Sequence, residues 1–408
     1  MSGKWPGGFI TKLAPTVVGP TDGEGGTASG IWTLDQAADY EEQGLWPIPT
    51  LPRKLWAWGV NDLGQLGLGN TTYAYSSPAQ VGSLVNWATV AQGFTNIIAV
   101  TLDGTLFGCG SNNVGQLGDG TTTNRSSPVQ VGALTNWLKS AVGYWSSSAL
   151  KTDGTLWAWG RGNEGQLGQG NTTDYSSPVQ VGALTTWATI SSGNGSIYAV
   201  TTSGALYAWG NSDYGQLGQG NTTSYSSPVQ VGALTNWATV GAGREFILAV
   251  KTDGTLWSWG RGGNGQLGHN NTTNYNSPVQ VGALTNWLSV AGGKGWSRAI
   301  KTDGTIWCWG ENAYGQLGQG NSGAGTHRSS PVQVGALTTW LKIGGAYKTG
   351  GAIKTDGTFW AWGRNQAGQV GQGNVNNYFS PVQVGALTTW NEIATSNTGS
   401  SMFGTTKG

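Results

Sequence analysis

From Trp87 onward, apolar runs about five or six residues long recur between stretches rich in Gly, Asn, Thr and Ser. In one stretch, Trp237 to Gly241 and Ile247 to Thr252 are apolar and β-branched, and Asp253-Gly254 then leads into Thr255-Leu256-Trp257-Ser258-Trp259. Runs this short, bounded by turn formers, predict strands rather than helices. Asp-Gly predicts a two-residue hairpin of the primed type, whose central residues need positive φ. Trp257 and Trp259, two residues apart, fall on one face of their strand. A loop of about 17 residues follows, ending at Ser277-Pro278-Val279-Gln280-Val281. Pro278 there predicts an edge strand, because proline cannot donate to a ladder on both sides. The unit thus reads inner strand, second strand, third strand and a Pro-led outer strand.

The unit repeats. Gly-Gln-Leu-Gly begins at Gly64, Gly115, Gly165, Gly215, Gly265 and Gly315, and Gly-Gln-Val-Gly at Gly368. Each copy also holds a proline (Pro78, Pro128, Pro178, Pro228, Pro278, Pro331, Pro381) and a tryptophan (Trp87, Trp137, Trp187, Trp237, Trp287, Trp340, Trp390). Seven copies of a four-stranded unit, each about 50 residues long, predict an all-β fold, a seven-bladed β-propeller of four-stranded blades over residues 54–408. Lys54 to Trp58 begins at a third strand and Trp390 to Thr406 ends after a second strand. The N- and C-terminal strands are therefore expected to pair and close the ring, with Thr406 beside Lys54.

Residues 1–53 break the repeat and read as a short irregular N-terminal arm. Pro15 to Gly30 has the composition of an extended linker. Thr33 with Gln36 forms a capping box and Gly44 suits the position after a helix end, which predicts a short helix over 34–43. An arm of this size cannot bury its own apolar residues, so Ile31, Trp32, Leu34, Leu45 and Trp46 are candidate anchor residues.

Composition narrows the function. With 71 Gly and 13 Pro in 408 residues a helical bundle is excluded, and 23 Trp against 10% charged residues excludes a disordered chain. The net charge of +1 comes without a basic block, so a nucleic-acid partner is not expected. No apolar run approaches membrane-spanning length, and no membrane insertion is expected. Cys109 and Cys308 are too few for a disulfide framework and sit at unlike strand positions; they read as small core or surface residues.

Comparing the copies with one another locates a candidate binding face. Successive connections alternate between the two faces of a propeller, so the loops joining strands one to two and three to four share a face, and the Asp-Gly turns lie on the other. The Asp-Gly-Thr turns and Gly-Ala-Leu-Thr segments barely change between copies. The tips between strands one and two do change, and so do the starts of the next loops, with Asp62, Arg161, Glu164, Asp213, Tyr214, Arg261, Glu311, Tyr314 and Arg364. The candidate binding residues are Phe94, Tyr144, Trp145, Arg244, Glu245, Phe246, Lys294, Trp296, Tyr347 and Lys348. Loop drift also produces divergence, and the six rings among these tips would alternatively plug the central channel; their exposure separates the two.

Catalytic chemistry is not legible. Gly160-Arg161-Gly162-Asn163-Glu164-Gly165 and Gly260-Arg261-Gly262-Gly263-Asn264-Gly265 fit a phosphate-loop pattern, but no helix follows either. Asn-Thr-Thr at Asn70, Asn171, Asn221 and Asn271 matches a glycosylation sequon, yet its fixed place in the repeat points to turn chemistry. His269 and His327 have no ligand-spaced companions, and Asp103, Asp153, Asp253, Asp303 and Asp356 are turn residues. No catalytic residue, metal or cofactor is expected.

The phrase around Trp58-Gly59-Val60-Asn61 and Trp309-Gly310-Glu311-Asn312, followed by Gly-Gln-Leu-Gly, resembles the regulator of chromosome condensation repeat family over about 355 residues. The resemblance implies a seven-bladed propeller. Founding members of that family exchange guanine nucleotide on a small GTPase through a protruding wedge and contact DNA or nucleosomes through a basic tail; neither feature is present in this sequence. Separately, Thr27 to Pro47 is similar to a segment of virion structural proteins of marine tailed phages. That resemblance implies a non-enzymatic virion component, made in the host cytoplasm and carried on the particle's head, tail or fibre. The arm would hold other virion proteins in an oligomeric assembly and the variable face would meet a host surface protein or glycan. The alternatives are a cellular protein-interaction propeller, exchange-factor-like or ubiquitin-ligase-associated, and a glycan-binding propeller using Trp145 and Trp296.

Overall fold

The computed structural model describes residues 52–394 and 398–407. The expected helix over 34–43 and the anchor residues Ile31, Trp32, Leu34, Leu45 and Trp46 lie outside the described residues. The rest forms seven four-stranded antiparallel sheets arranged as propeller blades. Six blades run in sequence order from inner to outer strand, as in Trp237–Ala242, Phe246–Lys251, Leu256–Gly260 and Tyr275–Gln280. The first blade is assembled from both ends of the chain. Arg53–Val60 and Ala74–Gln80 supply its third and outer strands, and Trp390–Ile393 and Ser401–Lys407 its inner and second. Lys54 pairs with Thr406 in a register running from Arg53 with Lys407 to Gly59 with Ser401. The ring is closed by backbone pairing where the sequence placed it.

The core lies between neighbouring blades. In six blades the tryptophan that opens the inner strand packs edge-on or tilted against two aromatic rings of the third strand; in the blade of Trp87 it meets Phe107 alone. Trp237 meets Trp257 at 6.0 Å and Trp259 at 5.8 Å, and Trp287 meets Trp307 and Trp309 in the same manner. The deeper ring of each pair also ties its blade to the one before. Trp209 Nε1 donates to Gln166 O at 3.0 Å and Trp259 Nε1 to Gln216 O at 2.9 Å. Trp58 Nε1 donates to Gln369 O at 2.9 Å, carrying the same staple across the junction of last and first blades. The Gln-Leu-Gly phrase is therefore the receiving half of an inter-blade hydrogen bond. At one junction Cys109 replaces the indole, and its Sγ sits 3.7 Å from Gln65 O. Both cysteines are fully buried, which settles their reading as core residues.

The Asp-Gly hairpin differs from expectation. Lys251 N donates to Thr255 O and Gly254 N to Lys251 O, so the loop holds three residues, Thr252 to Gly254. Only Gly254 has positive φ, at 76°; among the described residues other than glycine, only Asn270 does. This is a type I turn followed by a left-handed glycine, not the two-residue primed turn. The reason is side-chain chemistry. Asp253 Oδ1 accepts from Thr255 N at 3.0 Å and from Thr255 Oγ1 at 2.6 Å, and Thr255 Oγ1 accepts from Trp257 Nε1 at 2.8 Å. Lys251 Nζ lies 3.7 Å from the Trp257 ring centroid, so Lys-Thr-Asp-Gly-Thr-x-Trp is one interlocked unit.

The Pro-led strand is an outer edge strand, bulged opposite Ser258 and Gly260, where Pro278 interrupts the ladder. In the loop before it, Asn271 Oδ1 accepts from Thr273 N at 2.9 Å, and Asn271 Nδ2 donates to Tyr275 OH at 3.0 Å. The Asn-Thr-Thr triplet thus makes an Asx turn. Gly162 of the glycine-rich phrase is a packing glycine: a Cβ there would lie 2.1 Å from Thr173 O.

Candidate binding face

In the six blades built from consecutive strands, each tip between inner and second strand is a tight hairpin. Gly243 N donates to Phe246 O and Gly293 N to Trp296 O, both at 2.8 Å, which leaves two residues to project from each tip. In these six tips the third residue starts the second strand and is buried. Phe246 is fully buried and Trp296 is 1% exposed, so neither belongs to a binding face. Trp296 instead donates Nε1 to Tyr347 O at 3.2 Å, with the Arg298 guanidinium 4.5 Å from its ring. A glycan cannot stack on it. Phe94, Tyr144, Trp145 and Tyr347 are half-buried, as are Arg244, Glu245, Lys294 and Lys348. The six rings divide, two into the core and four onto the rim.

Main-chain bonds knit neighbouring tips together. Asn194 N donates to Arg244 O at 2.9 Å, Arg244 N to Gly293 O at 3.1 Å, Lys294 N to Tyr347 O at 3.1 Å and Tyr347 N to Gly399 O at 2.7 Å. The rim is hence a fixed platform, with its variable side chains held at set spacings. Phe94 stacks on Tyr144 at 4.3 Å and 11°, Trp145 meets Tyr144 edge-on at 4.5 Å, and the Arg161 guanidinium covers Trp145 at 4.3 Å. Lys294 Nζ donates to Tyr347 OH at 2.6 Å. Lys348 pairs with Glu311 at 3.0 Å, and Arg261 with Glu245. Burial raises the Glu164 carboxyl above its ordinary range, against the lowering effect of Arg161. Burial also raises the Tyr144 phenol, while the facing Arg244 acts against the shift.

Two cavities open on this rim. One, of about 330 Å³, is lined by Phe94, Tyr144, Arg244, Tyr347, Arg364 and Ser400. These residues come from five blades, so the cavity sits where the blades converge. The other, of about 240 Å³, shares Tyr144 and Arg244 and adds Trp145, Arg161, Asn163, Glu164, Gln166 and Asn194. Neither offers a nucleophile beside a base. Among the described residues no group of three or more His, Cys, Asp or Glu could hold a metal ion.

The profile described as the regulator of chromosome condensation (RCC1) repeat matches residues 54–100, 103–150, 153–200, 203–250, 253–300, 303–348 and 356–401. The chain belongs to this family. Its RCC1 repeats are offset from its blades: residues 253–300 hold the third and outer strands of one blade and the inner and second strands of the next. Human probable E3 ubiquitin-protein ligase HERC3 is 45% identical over 67 residues, 16% of this chain and 6% of the ligase. The zebrafish (Danio rerio) RCC2 homolog is 40% identical over 79 residues, 19% of this chain and 16% of that protein. The chain thus matches only a small part of those relatives' lengths. Among solved structures, human WBSCR16 superposes with a TM-score of 0.78 at 19% identity, covering 87% of this chain and 99% of that one. Prp20p from Saccharomyces cerevisiae, described with its binding to Gsp1p and histones, gives 0.77 at 20% identity, covering 88% and 92%. Both likenesses show the fold.

The RCC1 repeats also carry a feature the sequence comparison passed over. On the face of the Asp-Gly turns, each inter-blade connection presents one exposed leucine, from 41% exposed at Leu387 to 48% at Leu134. Their sameness hid them, since only differences between copies were read as functional. The cavity where the blades converge was equally invisible, because its residues lie up to about three hundred positions apart and meet only through ring closure.

Proposed function

We propose that this RCC1-repeat propeller is a non-enzymatic protein-interaction module that holds a partner on the rim formed by its variable tips. The observation that carries this reading is the confinement of side-chain variety to one rim of a repeated scaffold. There the tips are tied to one another by main-chain bonds and crowd charged and aromatic groups around a pair of cavities. Rigid backbone with divergent side chains is the arrangement that gives specificity at low ordering cost. The cellular relatives favour this reading over a virion component. The virion reading rests on residues 27–47, and mass spectrometry of purified particles tests it.

Immobilised full-length protein, incubated with lysate of its native cells, provides the test. A tip variant carrying Tyr144→Ser, Trp145→Ser and Lys348→Ser is expected to lose the proteins that the wild type captures. A variant of the opposite face carrying Leu134→Ser, Leu234→Ser and Leu284→Ser is expected to keep them. Loss with the leucine variant and retention with the tip variant would contradict the proposal. Nucleotide release from a small GTPase is expected to be unchanged on addition of the protein; acceleration would contradict the non-enzymatic assignment.

A further inference from the structure

We infer that the cavity where the blades converge is a binding site for a carboxylate-bearing sugar, such as a uronic or sialic acid. The inference rests on reading the tip-bearing rim as the binding face, and it goes beyond that reading by naming a ligand chemistry. Three features of its charge come first. The lining, Phe94, Tyr144, Arg244, Tyr347, Arg364 and Ser400, holds two guanidinium groups and no carboxylate. Two carboxylates of the same rim are already engaged, Glu245 by Arg261 and Glu311 by Lys348. Arg244 keeps only a 3.7 Å approach to Glu245, and its Nε is buried without a hydrogen-bond partner. Arg364 Nε donates to Gln366 Oε1 at 2.9 Å, and Glu245 is shared between Arg244 and Arg261, so the two guanidiniums on this cavity meet less than one carboxylate; such a lining selects an anion, and their planar forks match a carboxylate.

The neutral part of the lining defines the rest of the ligand. Tyr144, Tyr347 and Ser400 contribute hydroxyls, which donate and accept and so match the dual character of sugar hydroxyls. Tyr347 OH already accepts from Lys294 Nζ, which leaves its own proton to donate outward. The Phe94 and Tyr144 rings stack together at 4.3 Å and supply an aromatic wall for the C–H face of a pyranose. A volume of about 330 Å³ lies at the small end of ligand cavities and suits a monosaccharide unit rather than an extended peptide. A further cavity on the inner strands is lined by small residues such as Ser140, Ser191, Ser192 and Gly241.

Titration calorimetry of the full chain with D-glucuronate and N-acetylneuraminate tests this, with D-glucose, acetate and an acetylated glutamyl dipeptide as comparison ligands. One sugar acid is expected to saturate a single site per chain and to bind at least about tenfold tighter than glucose or acetate, the factor that one charge-assisted hydrogen bond supplies. Arg244→Gln combined with Arg364→Gln is expected to weaken it by about a hundredfold while the melting temperature holds, since both side chains lie on the rim. Absence of saturable binding by either sugar acid at millimolar concentration would overturn the inference, as would binding that survives the double substitution. Tighter binding of the dipeptide than of either sugar acid would reassign the cavity to an acidic side chain and overturn the sugar class. If the sugar acids fail while the tip variant still loses its captured partner, the sugar site falls and the interaction rim stands. Loss of neither removes both.

Discussion

Asp253 illustrates how one repeated side chain does local work that a functional reading would misplace. Its carboxylate accepts from Thr255 N and Thr255 Oγ1, and the threonine hydroxyl first, then the amide, hold its pKa below the ordinary 3.8. Asp153, Asp303 and Asp356 are held down in the same way by Thr155, Thr305 and Thr358. A carboxyl whose native pKa is depressed stabilises the fold above its unfolded pKa, and that contribution disappears as pH falls through the native value. The melting temperature is therefore expected to fall steeply once pH drops below about 4. A variant with Asn at all four positions is expected to show a shallower acid loss by calorimetry; an identical acid profile would remove these turns as the cause. Phe246 and Trp296 show the limit of the sequence at this scale. Tip position three is polar in four copies, aromatic in two and glycine in one, so it looks variable, and only the hairpin geometry reveals that Phe246 and Trp296 point inward.

At the scale of elements, strand order, the edge position of the proline strand and the blade count were legible because each depends on a pattern that recurs in the chain. The Asp-Gly loop was not, since a two-residue and a three-residue hairpin share the dipeptide and differ in whether the residue before it joins the ladder. The inter-blade staple was half legible. Gln-Leu-Gly and the paired tryptophans were visible as repeats, but the acceptor is the glutamine backbone, and no side-chain signal marks a carbonyl. Replacing Trp209 by Phe keeps most of the buried ring and removes the bond to Gln166 O. Unfolding in guanidinium is expected to show a loss of about 1–3 kcal/mol, the cost of an unmade buried hydrogen bond plus a small void. Substituting Gln166 by Ala is expected to spare that bond, because the acceptor is main chain. An unchanged midpoint for the Trp209→Phe variant would contradict the staple.

At the scale of the molecule, ring closure converts a linear repeat into two unlike rims. Pairing of Arg53–Val60 with Ser401–Lys407 fixes the seventh junction and brings Phe94, Arg244, Tyr347 and Ser400 around one cavity. The closure itself was legible from where the chain enters and leaves the repeat; the cavity was not, because it belongs to no single copy. On one rim the repeats present nearly identical turns and a ring of leucines, and on the other each blade offers a different pair of residues. The account stands or falls on which rim meets a partner. Hydrogen–deuterium exchange of the full chain, alone and with its captured partner, measures this directly. The account expects slowed exchange on binding at the tips around residues 94–95, 144–145, 244–245 and 347–348, with the Asp-Gly turns unchanged. Slowed exchange confined to the turns around Gly154, Gly254 and Gly304 and the leucine-bearing connections would contradict it.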